Sequence, residues 1–177
     1  MKGIVFTGFL EMTENKFGIE IVDSMLESLE LESGGIYTSI GTYDFSEMLK
    51  LLQTLSVKVN IPVNDLIYTY GLYFFKILTD NYPDIFKMYG SAFEMLKSVE
   101  NHIHVQVRKI YPEAELPTFH IIHESENYME MIYISERGMY KFAQALIEKT
   151  CEFYHKEASI TYTKLHNDGT KVKFMIS

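Results

Sequence analysis

The sequence predicts an α+β fold: a helical N-terminal part, followed by a C-terminal antiparallel sheet that carries one helix. Three observations predict it. Apolar residues recur at three- and four-residue steps through the first two-thirds of the chain. Beyond Pro117 the pattern changes to short β-rich runs. Near the end, Asn167-Asp168-Gly169-Thr170 supplies a hairpin turn between two such runs.

Taken in order, Ile4 to Phe17 reads as a buried helix closed by Gly18, and Val22 to Leu29 as a second that stops before Glu32-Ser33-Gly34-Gly35. Ser46 to Leu55 makes a third. Pro62-Val63-Asn64-Asp65 opens a longer helix to about Thr79, with Tyr68, Leu72, Phe75 and Leu78 on one face. Asn81-Tyr82-Pro83 breaks it, and one continuous helix is expected from about Ser91 to Tyr111, its stripe formed by Leu96, Val99, Ile103, Val107 and Ile110. Pro112 stops that helix. Residues 119–122 and 128–133 read as paired strands about a polar turn at Glu124 to Asn127. Gly138 to Tyr154 reads as a helix, and residues 159–165 with 171–176 as the closing hairpin.

Composition narrows the function. At 177 residues the chain is expected to form one domain large enough to enclose a ligand. Its 47% hydrophobic and 23% charged content fits a globular protein, and its 14% aromatic share, from Tyr 13 and Phe 12 with no Trp, suits an apolar pocket or an ordinary aromatic core. A formal net charge of -8 argues against nucleic acid as a partner, which needs clustered Lys and Arg. The single cysteine, Cys151, excludes an internal disulfide and an all-thiolate zinc site and fits a reducing cytoplasm. Neither a signal peptide nor a membrane-spanning run is visible, so no membrane insertion is expected.

Six histidines are candidate ligands, of which His102 and His104 share a helix and flank its apolar stripe on opposite sides. Periodicity cannot choose between them. Two residues apart they cannot chelate one metal, and His120 and His123 on a regular strand would likewise face opposite ways. A flat cofactor that brings four nitrogens of its own needs only one histidine. Downstream, Tyr133-Ile134-Ser135-Glu136-Arg137 groups a phenol, a hydroxyl and a guanidinium within a few residues. Those are three donors for a pair of carboxylates such as a haem carries.

On these residues the chain resembles the H-NOX family, the haem nitric oxide/oxygen-binding domains related to the haem domain of soluble guanylate cyclase, and does so over essentially its whole length. Met1-Lys2-Gly3 with Ile4-Val5-Phe6 is similar to the family's N-terminus, and residues 99–107 to its proximal helix. The resemblance implies haem b (iron protoporphyrin IX), with His104 as the axial iron ligand and the haem between the helical part and the sheet. It places Pro117 where the family's haem-distorting proline stands, and Tyr133, Ser135 and Arg137 in its propionate-binding motif. It further implies a distal subdomain over residues 1–62 and a proximal one over residues 63–177 of a single domain.

In oxygen-binding members a tyrosine with polar support donates to the gas. The matching positions here are Phe142, Phe74 and Phe9, none a donor, which implies a nitric oxide sensor that discriminates against O2 while still binding CO. Ile4, Val5, Leu78 and Leu146 are expected to complete the pocket, and Tyr140, two residues from Phe142, to face elsewhere. The implied signal is release of His104 from iron, with Gly71 a possible hinge or merely a close-packing glycine. With no output domain expected in the chain, the implied partner is a separate protein, a histidine kinase or a cyclic-di-GMP enzyme of the kind paired with standalone bacterial members. Family members with a C-terminal zinc site have cysteines where Tyr140, Lys164 and Val172 stand, beside His166, so zinc is not expected. The rival readings are an apolar-ligand module for a fatty acid or isoprenoid, and a haem peroxidase or oxygenase. The first leaves His104 and Arg137 idle, and the second lacks distal acid-base groups, so no enzymatic activity is expected.

Overall fold

The computed structural model describes residues 1–177 and divides into two compact units, Met1–Ile77 and Leu78–Ser177. Residues 63–77 group with the N-terminal unit. No helix is long and apolar enough to cross a membrane.

The first unit is helical. Helix α1 spans Gly3–Phe17 and ends at Gly18, whose φ of 92° is open to glycine and turns the chain directly into α2, Ile19–Glu27. Helix α3, Phe45–Val59, starts at Asp44, whose carboxylate accepts the Ser46 N–H at 2.7 Å, and ends at Asn60 in the left-handed conformation. It outruns the expected Leu55 because its last turn is mostly exposed and breaks the apolar rhythm. Helix α4 runs from Val63 to Asn81. Phe6, Phe9, Met12, Met25, Met48, Leu51, Leu52 and Leu55 are fully buried, each contributing about 1.5–3 kcal/mol by leaving water.

The N-terminal residues are fixed by the loop between α2 and α3. The Met1 ammonium donates to the Tyr43 carbonyl at 2.6 Å and Gly3 N–H to the Gly41 carbonyl at 2.8 Å. A Cβ on Gly3 would lie 1.8 Å from the Thr38 carbonyl oxygen, so only glycine fits there. The same loop is anchored to α3 by buried Glu47, which accepts from the Ser33 N–H, the Ser33 hydroxyl and the Tyr37 phenol at 2.9, 2.6 and 2.6 Å. Burial pushes the Glu47 carboxyl up, but these donors together hold it below the usual carboxylate value.

The second unit begins with a short helix, α5, Pro83–Lys87. The single helix expected from Ser91 to Tyr111 is instead three pieces: α6, Ala92–Ser98; a π-helical turn, Val99–Ile103; and α7, His104–Ile110. The turn closes with the His104 N–H on the Val99 carbonyl, five residues back. It shifts the helix phase, so the stripe read from the sequence does not persist: Leu96 is buried but Ile110 is 65% exposed.

Four strands follow, β1 (Thr118–Glu124), β2 (Met129–Ile134), β3 (Ile160–Lys164) and β4 (Lys171–Ile176), with α8 (Tyr140–Phe153) between β2 and β3. They form one antiparallel sheet in the order β1-β2-β4-β3. Met129, Met131 and Tyr133 on β2 alternate into the core with Val172, Phe174 and Ile176 on β4, packed among Ala92, Phe93 and Leu96 of α6 and Ala143, Ile147 and Cys151 of α8. A register shift between Ile121 and His123 corrects one expectation. His120 pairs with Ile132 and His123 with Glu130, so the irregularity puts both histidines on the same, exposed face.

Candidate functional site

The π-helical turn separates the two histidines that periodicity could not. His104 is buried, and its Nδ1 lies 3.2 Å from Oε2 of Glu100, one turn earlier. No hydrogen bond engages its Nε2. Burial, with a smaller contribution from Arg108, pulls the imidazole below its ordinary value and Glu100 only partly opposes this, so it is neutral near pH 7. A neutral, buried imidazole with one nitrogen held and the other available is the donor a single-histidine metal ligand requires. His102 is only half-buried, and its Nδ1 is bonded to the Tyr89 phenol at 2.7 Å.

Glu100 is itself held from three sides. Its Oε1 lies 3.5 Å from Nη2 of Arg108, while Oε2 faces both His104 and the Phe119 N–H, the latter at 3.4 Å. The Phe119 ring in turn lies 6.0 Å from the His104 ring and 5.7 Å from that of Tyr133. Pro117 immediately precedes β1.

Tyr133, Ser135 and Arg137 meet where β2 ends. The Ser135 N–H extends the ladder by donating to the Thr170 carbonyl at 2.9 Å, and a tight turn follows in which Gly138 takes a φ of 61°. Within it the Arg137 N–H donates to the Ser135 hydroxyl at 3.3 Å. Burial pushes the Tyr133 phenol up, against hydrogen bonds with Ser135 and the Met139 backbone and the nearby Arg137 charge. Arg137 is three-quarters or more buried and already grips a carboxylate: Nη2 donates to Glu115 Oε2 at 2.6 Å and Nη1 to the Glu115 carbonyl at 2.7 Å. Arg137 thus already donates to a carboxylate oxygen, the chemistry that a haem propionate asks of it.

The remaining candidates lie in both units. In the first, Phe9 and Phe74 are buried and both pack edge-on against Tyr70, at ring separations of 5.4 and 5.6 Å; Ile4 and Val5 on α1 are half-buried. In the second, Leu78, Phe142 and Leu146 are half-buried, whereas Tyr140 is buried on another face of α8, against Tyr162 at 5.3 Å. The β3–β4 hairpin pairs Lys164 with Val172 and carries the Lys164 ammonium to 4.9 Å from the Tyr140 ring. A cation on an aromatic face thus stands at two of the positions where zinc-binding relatives were expected to have thiols.

Sequence reasoning missed three side chains. Glu100 and Glu115 are unremarkable as exposed-looking acids, although Glu100 stands four residues before His104, the spacing that brings helical side chains together. Tyr70 is fully buried, four residues before Phe74, and its hydroxyl donates to the Val5 carbonyl at 2.5 Å. Burial pushes that phenol well up, so it stays a neutral donor.

Comparison with known proteins bears on what these groups hold. Residues 2–162 match the family described as haem-NO-binding. An unliganded Fe(II) H-NOX protein from K. algicida is 51% identical and superimposes with a TM-score of 0.97, covering 100% of this chain and 96% of its own. An H-NOX protein from Shewanella woodyi in the Fe(II)CO state is 38% identical, with a TM-score of 0.85 and coverage of 100% and 94%. The soluble guanylate cyclase gcy-33 of Caenorhabditis elegans is 25% identical over 175 residues, which are 96% of this chain but 18% of that relative's length.

Proposed function

The chain belongs to the haem-NO-binding family of haem-based gas sensors, and on that premise we propose that it senses nitric oxide at a ferrous haem b whose iron is held by His104. The observation that carries this reading is the buried His104 imidazole, with Nδ1 on Glu100 and no hydrogen bond at Nε2. Haem, when bound, would supply a ferrous iron able to take up a diatomic gas while held by that histidine.

The chain's own residues do the rest. Arg137, with Tyr133 and Ser135, would hold the haem carboxylates and so orient the group. Phe9, Phe74 and Phe142 offer no donor, which O2 needs and nitric oxide does not. Ile4, Val5, Leu78 and Leu146 are apolar and half-buried, the side-chain type that the expected pocket needs. Tyr70, a phenol packed against both Phe9 and Phe74, donates to the Val5 carbonyl. With haem bound, release of His104 would be the signal, with Pro117 as the contact that holds the resting state, Gly71 as either a hinge or a close-packing glycine, and a separate histidine kinase or cyclic-di-GMP enzyme as the reader.

An absorption spectrum tests this directly. Purified protein should take up haemin, form a nitric oxide complex when reduced, and form no stable complex in air. His104→Gly should lose the axial bond and regain it with added imidazole, while His102→Gly should leave the spectrum unchanged. A colourless protein that ignores haemin refutes the reading, and an air-stable O2 complex refutes the choice of gas.

A further inference from the structure

Glu100 lies in the π-helical turn, and every polar contact it makes converges on one purpose. Oε1 is steadied by Arg108 at 3.5 Å, and Oε2 sits between the Phe119 N–H at 3.4 Å and His104 Nδ1 at 3.2 Å. A carboxylate fixed by a cation on one oxygen and by a backbone N–H on the other has little freedom to turn away from the imidazole. It accepts the Nδ1 proton, which fixes the tautomer so that the lone pair is on Nε2.

We infer that Glu100 is the positioning residue of the metal site: it orients His104, raises its donor strength, and thereby sets how readily the iron–histidine bond breaks. This rests on the assignment of His104 as ligand made above. The physical reason is charge. A proton shared with a carboxylate gives the imidazole partial imidazolate character, which strengthens its bond to iron and favours the ferric state. The Arg108 cation moderates the effect by withdrawing charge from the same carboxylate. The contact also joins two elements, since Oε2 is shared with the first residues of β1: when His104 moves, Glu100 transmits the displacement to Phe119, two residues beyond Pro117.

The test uses the full chain loaded with haem and compares wild type with Glu100→Gln and Glu100→Leu. Glutamine keeps the shape and can still accept the Nδ1 proton, but without the charge; leucine removes the acceptor. Resonance Raman of the ferrous, gas-free protein should show the iron–histidine stretch falling in the order wild type, glutamine, leucine. The ferric/ferrous midpoint potential should rise in the same order, as should the fraction of nitric oxide complex that has lost the histidine. A purely structural role for Glu100 would lower haem content and stability but leave the stretching frequency of the loaded fraction unmoved. Unchanged frequency in both variants, with haem still bound through His104, overturns the inference. Should leucine prevent folding, the isosteric glutamine alone decides, a downshift supporting and an unshifted band refuting. A wild-type spectrum without a histidine-ligated haem refutes the reading of His104 instead, and the two failures are thus distinct.

Discussion

Tyr70→Phe removes a donor that packs against two of the phenylalanines assigned to the gas side. The Tyr70 side chain is fully buried and its hydroxyl donates to the Val5 carbonyl at 2.5 Å. Removing one oxygen leaves little space, and the Val5 carbonyl, inside α1, keeps its helical partner four residues on. The loss is therefore the net value of one neutral hydrogen bond, about 0.5–1.5 kcal/mol. For a chain of this size each kcal/mol lowers the melting temperature by roughly 2–4 °C. A thermal melt followed by circular dichroism should thus move down by a few degrees. The functional half of the expectation is sharper. Because the proton is directed at Val5 and not at the gas, nitric oxide and CO dissociation should be unchanged within about twofold. A donor to the bound gas would be worth about 1.4 kcal/mol or more, which is tenfold in rate. A tenfold change in dissociation with an unshifted melting temperature would refute the assignment of this hydroxyl to the Val5 carbonyl.

Phe142→Tyr should add the missing donor and give a ferrous protein whose O2 complex survives in air, measured by its absorption spectrum; no gain in O2 binding would place residue 142 away from the gas. Arg137→Ala should weaken haem retention by about ten- to a hundredfold, from the loss of a charge-assisted contact of about 1.5–3 kcal/mol, read as haem transfer to apomyoglobin. Glu115→Ala should act oppositely in the same assay and slow haem loss, because it removes the carboxylate that Arg137 otherwise holds. Glu47→Gln should melt lower than wild type at neutral pH. Since the folded carboxyl lies below its unfolded value of 4.5, its contribution is present above that pH and vanishes as the pH falls through the folded value. The gap between the two proteins should therefore close on acidification, and a gap that stays constant from pH 7 downward would count against Glu47 as the charged anchor of the loop.

Much of the fold was legible because its signals are local. Gly18 ends α1, Pro62 precedes α4, and the turn after Asn167 joins β3 to β4, each a consequence of one or two residues' backbone preferences. The failures share a cause too. Nothing in the spacing of Leu96, Val99, Ile103, Val107 and Ile110 announces that one extra residue is wound into the turn at Val99–Ile103, because a phase shift is a relation between segments and not a property of either. The irregularity in β1 escaped notice for the same reason, and with it the common face of His120 and His123.

That one inserted residue also explains why the site was half readable. The pentapeptide at Tyr133 groups its three donors within five consecutive residues, so the grouping is visible in the sequence. The choice between His102 and His104 depends on where each ring points, which the π-helical turn decides by giving one a carboxylate and burial and the other a phenol and partial exposure. The turn closes through the His104 backbone N–H on Val99, so the residue that would hold the iron is also the residue that closes the irregular turn. Displacement of its side chain would therefore act at an i to i−5 hydrogen bond and not at a regular α-helical one. Glu100 lies within the same turn and reaches Phe119 of β1. On the proposed reading, a pull on His104 would reach Phe119 at the start of the sheet through Glu100.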